Sequence, residues 1–281
     1  MRLFTFVQME LPWELGPADG RYLLRRLDGS DAGAPQRVVV LATVGAAPRA
    51  RFRRRAHTRA TDAEPGAVPV ARATVVDPVS LSSEAQAAAW LRELDPELEA
   101  HRAAETLNRV LFAQRIAAGA PHLHEVELGQ ALVIRAGFGA GEQVAEGDWH
   151  DARELVLARH RRQRRSAMLR PQGRLAQLLA GRERELLCEE LALRVRADLD
   201  AGRLALAAIG LERAYAAALI ELAGEGREEM GERVRELARL SVAVEEDAIA
   251  ALGGATELDS AHVEHALGRL QAALRARSHA I

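Results

Sequence analysis

The chain contains no lysine; all 38 of its basic residues are arginine. That absence removes several chemistries at once. A Walker A phosphate loop needs its lysine. Pyridoxal phosphate enzymes need a lysine for the Schiff base. Protein kinases and S-x-x-K acyl enzymes need theirs too. Abundant alanine and one asparagine, Asn108, accompany the missing lysine. Together they point to a GC-rich bacterial genome, in which arginine codons replace lysine codons.

Cysteine is nearly absent as well. Cys188 stands alone, which excludes intramolecular disulfides and zinc sites built on several thiolates. It falls at an apolar position of RELLCEELAL and reads as an inert core residue. Aromatic residues make up 4% of the chain, so the core must come from Leu, Val and Ala. Those Leu/Ala segments favour helix, because their side chains lose little freedom there. Long apolar runs are missing too. Val38 to Pro48 is the longest charge-free run, and Leu204 to Leu222 is interrupted by Glu212, Arg213 and Glu221. Neither approaches a membrane span. The N-terminal apolar residues meet Glu10 too soon for a signal-peptide core, so a cytoplasmic protein is expected.

At 281 residues, with 48% hydrophobic and 28% charged residues, the chain is long enough for one large domain or two ordinary ones. Residues 1 to about 80 read as strands: LFTFVQMEL, RYLLRRL, RVVVLATV and VPVARATVV, separated by GPADG, DGSDAGAP and DAEPGAVP. RVVVLATV, nearly continuous in apolar residues, reads as a central strand. Two helices follow. Ser83 with Gln86 forms a capping-box pattern, and Asp95–Pro96 is a cap followed by proline at the first helical position. The second helix stops at Gly119, with Pro121 beyond. EVELGQALVIRAG and GEQVAEG read as strands joined at a glycine hairpin, and WHDARE as the opening of a helix. Trp149 is expected to pack the two parts of the chain together.

Everything after Trp149 is periodic in the helical sense, with breaks at Arg170–Pro171, Ala201–Gly202, Gly224 to Gly226 and Gly253–Gly254. The expected fold is therefore α+β. A mixed or antiparallel sheet with two helices spans residues 1–148, and a helical bundle spans 149–281. Residues 46–68 read as a flexible Arg-rich loop, from their low complexity and few large apolar groups. LRVRADLDAGRLALAAIGLERAYAAALIEL has a helix–turn–helix outline. Tetratricopeptide units and HEPN bundles share that outline with any antiparallel Ala/Leu helix pair. Met230, Val234, Leu237, Ser241, Val244, Ala248 and Ala251 alternate steps of four and three, which is a narrow apolar seam.

No catalytic set stands out. GFGAG at 137–141 lacks the third glycine of a dinucleotide loop, since position 142 is Glu142. His122, His124 and Glu125 share one short segment, and His262 and His265 lie one helical turn apart with Asp259 a turn earlier. Neither group shows a zincin spacing or a further ligand, so no metal and no cofactor is expected. Arg–His spacings of the HEPN ribonuclease kind (Arg153 with His160, Arg51 with His57, Arg115 with His122) arise by chance at this composition.

Charge is segregated despite a formal net charge of −2. Between Asp31 and Asp62 no acidic residue occurs, yet the window holds Arg37, Arg49, Arg51, Arg53, Arg54, Arg55 and Arg59. A second acid-free window between Glu154 and Glu183 holds Arg159, Arg161, Arg162, Arg164, Arg165, Arg170, Arg174 and Arg182. Acids gather instead at Glu221–Glu236 and Glu245–Asp247. The sequence therefore supports a non-catalytic interaction or assembly protein. It is expected to self-associate through the C-terminal helices, with Met230, Val234, Leu237 and Val244 at the interface. The alternative is a nucleic-acid-associated protein holding phosphates through the two acid-free segments; Arg49, Arg51, Arg53, Arg54, Arg55, Arg59, Arg159, Arg161, Arg162, Arg164 and Arg165 are the residues expected to meet nucleic acid or an acidic protein surface. A His/carboxylate metal enzyme is third.

Overall fold

The structure is a computed structural model, and it describes residues 2–25, 36–45, 70–157, 173–225, 228–255 and 257–279. The chain forms two compact units, Met1–Arg161 and Arg162–Ile281.

The first unit is built on six antiparallel strands: β1 (Phe4–Leu11), β2 (Gly20–Leu24), β3 (Arg37–Val44), β4 (Val70–Val76), β5 (Val133–Gly139) and β6 (Asp151–Glu154). Their order across the sheet is β2-β3-β4-β1-β5-β6. RVVVLATV is thus an interior strand, while β4 and β1 hold the middle. Two helices, α1 (Glu84–Glu93) and α2 (Pro96–Ala118), cover one face. Side chains alternate along a strand, so Val7, Met9 and Leu11 of β1 meet Ala100, Ala103, Leu107 and Leu111 of α2 in one core.

The helix boundaries follow local chemistry. Ser83 Oγ accepts from Gln86 N–H at 3.2 Å, and the Gln86 side chain reaches back to Ser82 rather than to Ser83. Asp95 accepts from the N–H groups of Glu97 and Leu98 ahead of Pro96. Helix α2 ends where Gly119 adopts φ 58°, a left-handed conformation that glycine enters without strain. The lone asparagine, Asn108, lies on α2. Its side chain donates to Val126 O at 3.0 Å and accepts from Val126 N–H at 2.7 Å, so it holds the loop after α2 against that helix.

Three expectations in this unit are corrected. GFGAG is not a hairpin turn, because its first three residues are the end of β5. GEQVAEG is not a strand, because Gly141–Glu146 forms a 3-10 helix. WHDARE opens no helix, because Asp151–Glu154 is β6, paired with β5 from Phe138↔Asp151 to Arg135↔Glu154. The glycines of β5 explain the pattern by close approach. A Cβ on Gly137 would meet the Asp151 carbonyl oxygen and lie 2.8 Å from the Phe6 ring. Trp149 stacks on Phe6 with centroids 5.6 Å apart, and the Arg135 guanidinium lies 5.8 Å over its ring. Its packing is therefore within the first unit, on the sheet face opposite α1 and α2.

The second unit is helical: α3 (residues 173–179), α4 (Leu187–Asp200), α5 (Leu204–Glu221), α6 (Glu228–Leu252) and α7 (Ser260–His279). Helices α4 to α7 pack together around Val195, Leu211, Tyr215, Leu237, Val244, Leu267 and Leu270. Glycines at the expected breaks take positive φ, with Gly202 at 68° and Gly254 at 75°. Tyr215 buries its ring but keeps its hydroxyl satisfied by donating to Ala266 O at 2.8 Å. Together the two units are the α+β fold. Among the described residues, no helix is long and apolar enough to cross a membrane.

Candidate interaction surface

Helix α6 carries two parallel stripes, and the structure separates them. The expected seam faces inward. Met230, Leu237, Val244 and Ala248 are 4% exposed or less. Val234 and Ala251 pack partly buried against the same cluster. Helices α5 and α7 of the same chain fill this seam with Tyr215, Ala266, Leu267 and Leu270. The proposed interface residues Met230, Val234, Leu237 and Val244 are thus engaged inside one copy of the chain.

One residue further along the helix lies a second stripe: Arg235, Ala238, Val242, Glu245, Ile249 and Leu252. It repeats the same steps of three and four, turned by about 100° from the first. This one faces solvent. Val242 and Ile249 are each 62% exposed and Leu252 is 71% exposed. Single exposed apolar residues are ordinary. Three aligned over about three turns of one helix form a surface that gains by being covered.

Of the clustered acids, Glu221, Glu236 and Asp247 are engaged inside the bundle, while Glu229, Glu232, Glu245 and Glu246 are exposed. Glu221 accepts from the backbone N–H groups of Leu187 and Cys188 at 3.0 Å each, closing the start of α4 from another helix. Burial acts to raise its pKa, but these N–H groups, Cys188 foremost, hold it below the ordinary glutamate value. Glu236 is bound by Arg269 of α7, and Asp247 lies 2.5 Å from His262 Nδ1. Glu183 and Glu189 are both engaged by Arg174, at 3.0 and 2.7 Å. Arg277, 7% exposed, approaches the same two carboxylates.

Of the arginines in the acid-free windows, Arg37 pairs with Asp77 at 3.0 Å and Arg174 with the two glutamates above. Arg49, Arg51, Arg53, Arg54, Arg55, Arg59, Arg159, Arg161, Arg162, Arg164 and Arg165 lie outside the described residues, as does the loop expected at 46–68.

The histidine groups come apart. His122 and His124 are exposed. Asp259 caps α7 by accepting from Ala261 N–H at 2.9 Å and His262 N–H at 3.3 Å, so it serves the backbone. Among the described residues, no three His, Cys, Asp or Glu side chains converge as a metal site would require. Cys188 is fully buried, and burial together with the neighbouring Glu221 pushes its thiol up to about 12. A thiol so protonated is neither nucleophile nor metal ligand at neutral pH.

Among the described residues of the first unit, a cleft of about 430 Å³ is lined by Leu128, Leu132, Ile134, Leu155 and Val156 with Glu97 and His101. Glu154 also borders it. Its register opposite Arg135, however, turns its side chain to the sheet face that carries Gln8 and Glu10. That face holds a polar network. Arg135 donates to Gln8 at 3.0 Å and Glu10 at 2.8 Å, Arg72 donates to Glu10 at 3.1 Å, and Gln8 donates to Thr74 at 2.9 Å. Gln8 and Thr74 are fully buried and satisfied by this network, while Arg72 Nε is buried without a partner among the described residues.

Comparison with known proteins adds no family to this geometry. No family model, no curated protein and no solved structure matches the chain.

Proposed function

We propose that this chain is a non-catalytic assembly protein that self-associates through the outer stripe of α6. The observation that supports this reading is the row Val242, Ile249 and Leu252, apolar and more than half exposed on one face of a helix whose other face is already packed. Fully covering such a side chain is worth about 1.5–3 kcal/mol. Association costs roughly 4–15 kcal/mol in lost freedom before any contact repays it. A contact one helix wide therefore gives a weak complex, visible only when protein concentration is varied over a wide range.

The test is sedimentation velocity of the full chain from low to high micromolar concentration. Wild type should shift toward a larger species as concentration rises. Val242→Arg with Ile249→Arg should stay monomeric while keeping its helical ellipticity, since both positions are exposed. A wild type that stays monomeric throughout, or a double variant that associates as wild type does, overturns the reading.

The two acid-free arginine windows support a second reading, binding to the phosphate backbone of nucleic acid. Its mark is an affinity that falls steeply with added salt. A titration with mixed DNA and RNA at low and moderate salt decides it.

A further inference from the structure

We infer that the partner on the outer stripe of α6 is a second copy of the same helix, laid antiparallel, so that Arg239 of each copy faces Glu246 of the other. The inference rests on the reading of α6 given above and adds to it the orientation and the charge contact.

The charge pattern along the stripe carries it. Arg239 and Glu246 are exposed, and Arg239 acts on Glu236 through charge alone. Glu236, the acid one turn before Arg239, is taken by Arg269 of α7. Positions 239 and 246 are seven residues apart, so they lie on the same flank of the stripe within about 20° of each other. Both immediately follow stripe positions, Ala238 and Glu245.

Two copies can meet along this stripe in two ways. In a parallel pair, the flank holding Arg239 and Glu246 turns toward the partner's other flank, at Ser241 and Ala248, of which Ala248 is already buried in the inner seam. Those residues are uncharged, and the parallel pair also sets Arg235 against Arg235 and Glu245 against Glu245, so charge opposes it. In an antiparallel pair related by a two-fold axis, each flank meets its own equivalent running the other way. Residue i then contacts residue j, and j contacts i. Arg239 comes opposite Glu246, and this happens twice. The same arrangement brings Ala238 of one copy against Ile249 of the other, small against large. Arg235, at the basic end of the stripe, lies toward Leu252, where its aliphatic stem covers apolar surface while its head stays in water. Opposite charges at Arg239 and Glu246 on one flank thus fit a partner of the same sequence running in the opposite direction, with Val242 of each copy against the stem of Glu245 at the centre. Such complementarity sets orientation more than affinity.

The experiment is a charge exchange in the full chain, read by sedimentation velocity. Arg239→Glu alone sets Glu against Glu twice, and Glu246→Arg alone sets Arg against Arg twice. Each should weaken self-association by roughly fourfold or more, since two exposed ion pairs become two like-charge contacts. An equal mixture of the two variants should associate again as a heterodimer. The double variant Arg239→Glu/Glu246→Arg should recover the wild-type constant. Helical ellipticity confirms that each variant is folded.

Wild-type association that survives both single reversals unchanged overturns the antiparallel pair and leaves the outer stripe as an interface of another geometry. The same holds for single variants that weaken but are not rescued by mixing. A wild type that never associates overturns the assembly reading itself.

Discussion

Leu237 and Val242 are five residues apart on one helix, similar in character, and opposite in fate. Leu237 is 1% exposed and Val242 is 62% exposed. Replacing Leu237 by alanine removes buried methyl groups from a core shared with α5 and α7 and leaves a cavity, at a cost of about 2–5 kcal/mol. Replacing Val242 by alanine removes groups that already touch water. The small transfer loss is offset by alanine's better helix propensity, so the net change stays within about 0.5 kcal/mol. In a urea titration followed by far-ultraviolet ellipticity, Leu237→Ala should lower the helical midpoint by roughly 1 M or more, while Val242→Ala leaves it in place. The measurement belongs at low protein concentration, where association contributes nothing to stability. Equal shifts for the two variants would refute the assignment of inner and outer faces on α6. A larger shift for Val242→Ala would do so too. The proposed surface would fall with that assignment.

Asn108→Ala should destabilise the first unit by about 1–3 kcal/mol, because both the N–H and the carbonyl of Val126 lose their partner. Tryptophan fluorescence reads this directly, since Trp13, Trp90 and Trp149 all lie in that unit. Glu221 has a pKa held below the ordinary value in the folded chain. Its contribution to stability is therefore present above the ordinary glutamate range and lost as pH falls through the lowered folded value. Glu221→Gln should flatten that part of the acid limb of a stability-versus-pH curve, and an unchanged limb would count against the cap. Cys188 should resist alkylation in the native protein at pH 8 and react at the rate at which the second unit opens. Rapid labelling without denaturant would show that the thiol is accessible.

Much of the local structure was legible from residues alone. Ser83, Asp95 with Pro96, Gly119 and Gly202 mark helix ends through short-range hydrogen bonding and backbone conformation, which involve only near neighbours. The β1 to β4 strands were visible because β-branched and aromatic runs alternate with turn residues. The misreadings fall where two distant segments meet. GFGAG has the composition of a turn, yet Gly137 is small because Phe6 and the β6 backbone crowd it. WHDARE has the charges of a helix start, yet it pairs with β5 through backbone bonds that any sequence can make. Asn108 gave no sign that its partner would be Val126, eighteen positions away.

Composition and periodicity by themselves determined the fold class, the absence of lysine chemistry, and the presence of an apolar seam on α6. Tertiary structure alone decided the strand order, the placement of Trp149 on Phe6, and the engagement of Glu221, Glu236 and Asp247. It also decided which of the two stripes on α6 is core. Both stripes have the same spacing, and both contain valine and larger aliphatics. A helix's own sequence reports only the angle between them. Which one is covered depends on where α5 and α7 come to rest, and that is set by contacts between residues far apart in the chain.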